Sequence, residues 1–223
     1  MKKTLTLLLL AGLTLEAQAE TLTWNGDEDH MTWNTEDTNW LQGETSAKYT
    51  DGTEVVFGNT GSGTVTLADT FAPASVLVEN NTGSDYTFTG EGTGDGKLTG
   101  EGTKLTKSGD GTLNIETANE YTGGTIINGG TLVMGNDKAL GSGNVTLGSM
   151  GDAAATLDLN KHSISNQITL EGSASIGNGT LNGKVTMGSS AKITLMGDSL
   201  ARAASPWAAE PQWTSTITLS LTP

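Results

Sequence analysis

The chain has 223 residues, with 31 glycines, no cysteine, 5% aromatic residues and a formal net charge of -14. The absence of cysteine excludes a disulfide framework, thiolate catalysis, a cysteine-based zinc site and a lipid-modified cysteine. The acidic balance disfavours nucleic acid and anionic membranes as partners, because their phosphate groups attract cationic surfaces. With 35% hydrophobic residues and few aromatic rings, the composition favours a narrow aliphatic core over a wide globular one.

The first 19 residues have the features of a secretory signal peptide. Lys2 and Lys3 form a charged start, Leu5 to Leu13 form a short apolar run, and Ala17 and Ala19 complete an A-x-A cleavage site. We therefore predict cleavage after Ala19 and export of the mature chain. The apolar run is too short to span a bilayer comfortably, and no later segment is apolar enough to do so as a helix.

From about residue 53 the chain alternates short apolar runs with glycine-rich turns. Within each run, Val, Leu or Ile alternates with Thr or another polar residue, which is the period-two pattern of a half-buried β-strand. Clusters of Gly with Asn, Asp or Ser separate the runs and predict turns. No apolar stripe of helical period occurs outside the leader, so we predict an all-β mature chain. The runs are Thr64–Leu67, Ser75–Val78, Tyr86–Thr89, Lys104–Thr106, Thr112–Ile115, Thr125–Ile127, Thr131–Met134, Asn144–Leu147, Ala155–Leu159, Gln167–Leu170, Lys184–Met187 and Lys192–Leu195.

Strands of this length and spacing suit a sandwich, a barrel or a solenoid. A sandwich needs a wider core with bulky aromatic residues, whereas each coil of a solenoid buries only a few side chains. We therefore predict a parallel β-helix over residues 53–197, with about five to seven coils of roughly 20–30 residues each. The predicted inward residues include Leu113, Ile115, Ile126, Leu132 and Leu157.

Two terminal stretches depart from this pattern. Residues 20–52 are polar and acidic and contain Trp24, Trp33 and Trp40. We predict that these indole rings cover the open first coil, since solenoid ends need capping; stacking on sugar rings is the alternative. Residues 198–223 lose the Gly/Thr pattern and gain Ala, Pro and Trp, so we place a boundary near residue 197 and a divergent tail after it.

Residues 105–147 contain several spaced motif elements in a fixed order. A Lys-x-Gly-x-Gly-Thr-Leu element is followed by Asn-x-Tyr-Thr-Gly-Gly-Thr, then Gly-Thr-Leu, then Ala-Leu-Gly-x-Gly. The residues are Lys107, Gly109, Gly111, Thr112, Leu113, Asn119, Tyr121, Thr122, Gly123, Gly124, Thr125, Gly130, Thr131, Leu132, Ala139, Leu140, Gly141 and Gly143. This segment closely resembles the autotransporter-associated β-strand repeat, also called the passenger-associated transport repeat.

The resemblance implies a right-handed β-helix passenger, exported through the inner membrane and displayed at or released from the cell surface. It also implies that the repeat favours passenger folding and transport and is not an active site. Trp24-Asn25-Gly26 and Asn39-Trp40 are similar to the leader region of such surface proteins.

One feature of autotransporters has no counterpart in this sequence. Those proteins end in a β-barrel translocator, which needs many strands, whereas residues 198–223 supply about one strand, Thr214 to Leu221. We therefore expect a passenger fragment, a truncated or frameshifted copy, or a repeat protein with another export route.

Residue patterns that point to chemistry are weak. Asp27, Glu28 and Asp29 offer oxygen ligands suited to Ca²⁺, but a solvated acidic loop is the simpler interpretation in a net-negative protein. Neither His30 nor His162 accompanies a nucleophile motif, and cationic residues of the kind that polysaccharide lyases place near a uronate are scarce. We predict no catalytic residue, no metal site and no cofactor.

The sequence thus predicts an exported, non-enzymatic β-helical passenger with a structural, display or adhesive role. Its candidate partners are outer-membrane translocation machinery and host or environmental glycans. The alternative is a carbohydrate-binding or polysaccharide-degrading β-helix protein.

Overall fold

The computed structural model of the chain describes residues 20–201, apart from residues 28, 30, 93–95, 149–153, 190 and 198–199. The predicted signal peptide, with Ala17 and Ala19, lies outside the described residues, as does almost all of the predicted tail. The described part contains strands and no helix, and hence no helix able to cross a membrane. The strands are β1 (Thr21–Trp24), β2 (Thr32–Trp33), β3 (Trp40–Gln42), β4 (Thr45–Ala47), β5 (Glu54–Phe57), β6 (Gly63–Leu67), β7 (Thr70–Phe71), β8 (Ser75–Glu79), β9 (Tyr86–Gly90), β10 (Lys97–Leu98), β11 (Lys104–Ser108), β12 (Thr112–Ile115), β13 (Thr125–Ile127), β14 (Gly130–Met134), β15 (Val145–Leu147), β16 (Ala155–Asp158), β17 (Ser163–Ile164), β18 (Ile168–Leu170), β19 (Ser173–Gly177), β20 (Thr180–Leu181), β21 (Val185–Met187), β22 (Lys192–Met196) and β23 (Leu200–Ala201).

Successive strands stack in parallel on separate faces. The first face has the order β1-β5-β8-β11-β13-β15-β18-β21, and the second has the order β2-β6-β9-β12-β14-β16-β19-β22. A third, shorter face contains the pair β7-β10 and the set β17-β20-β23. The chain is therefore a parallel β-solenoid of about 6 turns, which confirms the predicted fold class. We number the coils by their first-face strands, so that β5 begins the first coil, β11 the third, β13 the fourth and β15 the fifth.

The core is a set of columns made by inward side chains of the stacked strands. Leu113 pairs in register with Leu132, Leu132 with Leu157, and Leu157 with Ile176, and all four are fully buried. Burying such a side chain contributes roughly 1.5–3 kcal/mol, so the long column supplies stability that a single coil lacks. Ile115 is also buried, as predicted.

The prediction that Ile126 faces inward is wrong. Ile126 pairs with Thr106 on one side and Thr146 on the other, and all three point outward and are half-buried. Its neighbours Thr125 and Ile127 are buried instead. The Thr-Ile-Ile run permits either phase of the alternation, and pairing with the neighbouring strands selects the phase that puts Thr125 inside.

Aromatic rings fill the first coils, in contrast to the aliphatic core beyond them. Trp24, Trp33 and Trp40 are at most 1% exposed. Trp33 stacks on Phe71 with ring centroids 5.2 Å apart and meets Trp40 edge-on. Because these indole rings lie inside the structure, none offers a face on which a sugar could stack. Next to them, β3 pairs antiparallel with the outer edge of β1, and β4 pairs antiparallel with β3.

Candidate functional site

Lys107 lies near the end of strand β11, just before the turn from the first to the second face of the third coil; we call residues 107–111 the lysine corner. Its side chain is fully buried, since it occupies an inward position between Val78 and Ile127. The Nζ atom donates to the carbonyl oxygens of Ser108 at 2.6 Å and Gly109 at 3.1 Å. It also reaches the carbonyl oxygen of Gly129, in the fourth coil, at 3.5 Å. One ammonium group thus satisfies carbonyls of two successive coils.

The burial of Lys107 has an electrostatic consequence. Removal from water lowers the pKa of its amine to about 8, and the carboxylates of Asp110 and Asp85 oppose part of this effect. A charged group in such a site is tolerated because the three carbonyl oxygens replace water as hydrogen-bond acceptors. The motif lysine therefore has an interior, structural position and is not presented to solvent.

Gly123 and Gly124 form the turn from the third coil back to the first face, which we call the glycine corner. A Cβ atom on Gly123 would lie 2.2 Å from the carbonyl oxygen of Gly102 in the coil below. Gly124 has φ +90°, and a Cβ there would lie 2.6 Å from the carbonyl oxygen of Asn144 in the coil above. The prediction that Gly124 occupies a corner with positive φ is confirmed. Five other motif glycines also approach neighbouring atoms too closely for a side chain: Gly109, Gly111, Gly130, Gly141 and Gly143.

Asn119 connects three coils through its side-chain amide. Its Oδ1 accepts from the backbone N–H of Leu98 at 2.8 Å and from the hydroxyl of Thr117 at 2.9 Å. Its Nδ2 donates to the carbonyl oxygen of Ala139 at 2.7 Å. Leu98 belongs to the coil below and Ala139 to the coil above. This buried side chain therefore adds to the backbone hydrogen bonds that join the coils on the third face, such as that from the Glu120 N–H to the Leu98 carbonyl oxygen at 2.8 Å.

Tyr121 and Thr125 form a second buried polar contact. The Tyr121 hydroxyl lies 2.7 Å from the Thr125 Oγ1, which also lies 3.5 Å from the carbonyl oxygen of Leu140. Burial raises the pKa of the Tyr121 phenol far above its ordinary value. This contact explains why a threonine is tolerated at the inward position of β13.

The remaining motif positions also have structural surroundings. Leu113, Leu132, Ala139 and Leu140 are buried, whereas Thr112 and Thr131 are half-buried on the outer side of the second face. Thr122 is exposed, and its hydroxyl accepts from the Gly102 N–H at 3.2 Å. The structure thus brings the motif residues together as the corners and interior of the third and fourth coils, not as a cleft.

The acidic segment considered for calcium forms a surface loop. Asp29 donates its backbone N–H to the Asp27 carboxylate at 3.1 Å, whereas Glu28 and His30 lie outside the described residues. A cavity of about 280 Å³ near this loop is lined by Asn25, Asp27, Asp37, Thr38 and Asn39. Among the described residues, no three carboxylate or imidazole groups cluster at the spacing of metal ligands.

His162 has a partner that the sequence analysis missed. Its Nδ1 lies 2.9 Å from Asp137 Oδ1, and the same oxygen accepts from the Ser163 N–H at 3.0 Å. These hydrogen bonds, that of Ser163 first, lower the pKa of the Asp137 carboxyl. The two side chains are 25 residues apart, about one coil, and that separation is the only sequence signal for the contact.

With this geometry in place, comparison with known families finds one match. Residues 105–134 match the family model of the passenger-associated-transport repeat. This part of the β-solenoid is therefore similar to a passenger-associated-transport repeat. The matched residues include the lysine corner, Asn119, the glycine corner and strand β14. Neither the curated proteins nor the solved structures contain a match to the chain.

The repeat family is associated with autotransporter passengers, which are exported proteins. The match confirms the resemblance predicted from the motif spacing. It covers the third coil and about the first half of the fourth, and so includes Lys107, Asn119 and Gly124.

Proposed function

We propose that the protein is an exported passenger segment whose role is structural: an acidic, non-enzymatic rod for display or adhesion at the cell surface. The observation that supports this most directly is the position of the repeat. Residues 105–134 match the repeat family and form coils whose first-face and second-face strands pair with neighbours on both sides.

A solenoid of this kind acts mechanically. Parallel strands hydrogen-bond from coil to coil, and eight stacked first-face strands at about 4.8 Å spacing give a rod of roughly 34 Å. Threonines on the outer sides of the strands, and a net charge that becomes -15 once the leader with Lys2, Lys3 and Glu16 is removed, keep the rod soluble and resist its association with other rods.

The repeat also has a role in passenger folding under this proposal. Lys107 contacts the fourth coil through Gly129, and Asn119 contacts the coils below and above through Leu98 and Ala139. Because these contacts join successive coils, formation of the third coil favours docking of its neighbours. That property suits a segment that must fold after crossing a membrane.

Export is tested by expressing the full chain with its leader in a Gram-negative bacterium. We expect an N-terminus at Glu20 and digestion of the protein by protease added to intact cells. Substitution of both cleavage-site alanines, Ala17→Asp and Ala19→Asp, should block processing, whereas Gln18→Asp should not. An unprocessed protein in the cytoplasm would contradict the export proposal.

The non-enzymatic part of the proposal has its own test. Purified protein is incubated with pectin, alginate and mucin, and released reducing sugars and unsaturated uronates are measured. We expect no release above a heat-denatured control. Release of either product would favour the polysaccharide-degrading alternative.

A further inference from the structure

A groove of about 400 Å³ crosses the third face where the fourth and fifth coils meet. The fourth coil contributes Asp137, Lys138 and Ser142, and the fifth contributes Ser163, Ser165 and Asn166. Its volume lies within the range of small-molecule binding sites. Six of its seven described lining residues have polar side chains, although apolar atoms make up the larger part of its exposed surface.

Several hydroxyl and ammonium groups around this groove can form further hydrogen bonds with a ligand. Within the part of the chain that the structure describes, the hydroxyls of Ser142, Ser163 and Ser165 make no side-chain hydrogen bond, nor does the Lys138 ammonium. Asn166 uses its Nδ2 on the carbonyl oxygens of Gly141 and Gly143, at 3.1 and 2.7 Å, which fixes its side chain across the two coils.

The Asp137 carboxylate is held in place through one of its two oxygen atoms. Its Oδ1 accepts from His162 and from the Ser163 N–H, and Oδ2 makes no hydrogen bond among the described residues. These two contacts order the carboxylate before any ligand arrives, so binding through Oδ2 carries a smaller entropic cost. The carboxyl is ionised at neutral pH and therefore accepts hydrogen bonds, and its contacts with Ser163 and His162 lower its pKa further.

The charges around the groove disfavour an anionic ligand. Lys138 and Asp137 give the described lining one ammonium and one carboxylate, and the charge of Lys138 also helps to lower the pKa of Glu120. Glu120 also binds Lys97 at 2.9 Å. With one ammonium and one carboxylate, the described lining is close to neutral, and it offers an acceptor, hydroxyls and an amide.

We propose that this groove binds a neutral, hydroxyl-rich saccharide. Asp137 accepts from ligand hydroxyls, and the three serines and Asn166 exchange hydrogen bonds with others. This inference rests on the proposed display role, to which it adds a ligand class. No aromatic ring lines the described part of the groove, so the affinity is weak, with a Kd on the order of 1 mM.

The test is an NMR titration of the ¹⁵N-labelled mature chain with cellobiose, maltotriose and mannobiose up to 20 mM. Trigalacturonate and sialyllactose serve as anionic probes. We expect shifts of the Asp137 and Ser163 amide signals with at least one neutral sugar. Asp137→Asn keeps an acceptor for the Ser163 N–H but loses the carboxylate, and should weaken binding about tenfold.

A pair of matched variants locates the site. Ser165→Trp fills the groove and should abolish binding, whereas Ser62→Trp places the same ring at an exposed serine elsewhere and should leave it unchanged. The proposal is overturned if no neutral sugar binds, if only the anionic sugars bind, or if the two tryptophan variants behave alike. Each of those results leaves export and the rod untouched, because the leader-processing and protease tests report on those separately.

Discussion

At the scale of single residues, Lys107 couples the stability of the solenoid to pH. The pKa of its amine is about 8 in the folded chain, against an ordinary value of 10.5. Between these values the unfolded chain binds more protons than the folded one, so the free energy of unfolding rises with pH. Buried Tyr121 acts in the opposite direction, but only above about pH 10, where an exposed tyrosine ionises.

We therefore predict that the free energy of unfolding rises by about 1–2 kcal/mol from pH 8 to pH 10 because of Lys107. Lys107→Met keeps a side chain of similar length but cannot titrate, so its stability should lack this rise. Urea unfolding of both proteins at pH 7, 8, 9 and 10 measures the difference. Parallel pH profiles for the two proteins would show that Lys107 does not titrate in a buried site.

Gly124 allows a comparison of backbone strain with close packing. Gly124 and Gly102 have φ of +90° and +86°, but a Cβ on Gly102 would meet no atom within 4 Å. Gly102→Val should cost about 1 kcal/mol from φ strain alone. Gly124→Val should cost roughly 3 kcal/mol, because the side chain also collides with the Asn144 carbonyl. Equal melting temperatures for the two variants would show that the corner is not tightly packed.

The sequence was informative about some of these residues and not about others. Gly124 was predictable because a Gly-Gly pair between two alternating runs indicates a turn with positive φ. The burial of Lys107 was not, because a lysine is almost always exposed and its carbonyl partners include Gly129, in the next coil. The motif spacing marks Lys107 as special without saying that it points inward.

At the scale of strands and turns, the Asn119 side chain links three coils on the third face, where the third coil forms no strand. Asn119→Ala would leave the Leu98 N–H and the Ala139 carbonyl buried without partners, and should cost about 3 kcal/mol. Asn114→Ala is the control, since Asn114 faces outward and makes one hydrogen bond, to Thr87 at 3.2 Å. We expect the control to cost about 0.5 kcal/mol in urea unfolding. Similar losses for both would mean that Asn119 does not connect the coils.

The register of β13 gives a prediction of its own. Ile126 lies in an outward column with Thr106 and Thr146, so Ile126→Thr should change stability by less than about 0.5 kcal/mol. Ile127 is fully buried between Lys107 and Leu147, so Ile127→Thr should cost about 2 kcal/mol. Thermal melts of the two variants decide between the registers, and the reverse order of stability would contradict the one observed here.

Strand positions were more predictable than strand phase. The period-two pattern located β6, β8, β12 and β14, because each contains a clear alternation of apolar and polar residues. In β13 the two adjacent isoleucines are compatible with either phase, so the prediction that Ile126 faces inward was wrong, and the pairing partners select the other phase. The antiparallel hairpin β3-β4 was not predicted, since its short polar strands carry no apolar alternation.

At the scale of the whole molecule, the coils differ in length, and this limits how well contacts between coils can be predicted from the sequence. Val76 pairs with Leu105, 29 residues later, whereas Ile168 pairs with Val185, 17 residues later. Contacts across coils, such as that of Asp137 with His162, therefore have no fixed spacing in the sequence. The parallel β-solenoid itself was predictable, because short apolar runs with few bulky aromatic residues suit the narrow core of a solenoid better than the wider core of a sandwich.

The central claim is that the coils stack in one continuous parallel column, and pairs of spin labels on the first face test it. Thr23, Thr106, Thr146 and Thr169 lie in one outward column, with Thr106 three strands from Thr23, Thr146 five and Thr169 six. The chain has no cysteine, so paired cysteine variants label cleanly.

Pulsed electron paramagnetic resonance then measures the separations from position 23 to positions 106, 146 and 169. The solenoid predicts backbone separations of about 14, 24 and 29 Å, rising by about 4.8 Å per strand. Separations that do not rise with the number of intervening strands, as in a sandwich of opposed sheets, would contradict it.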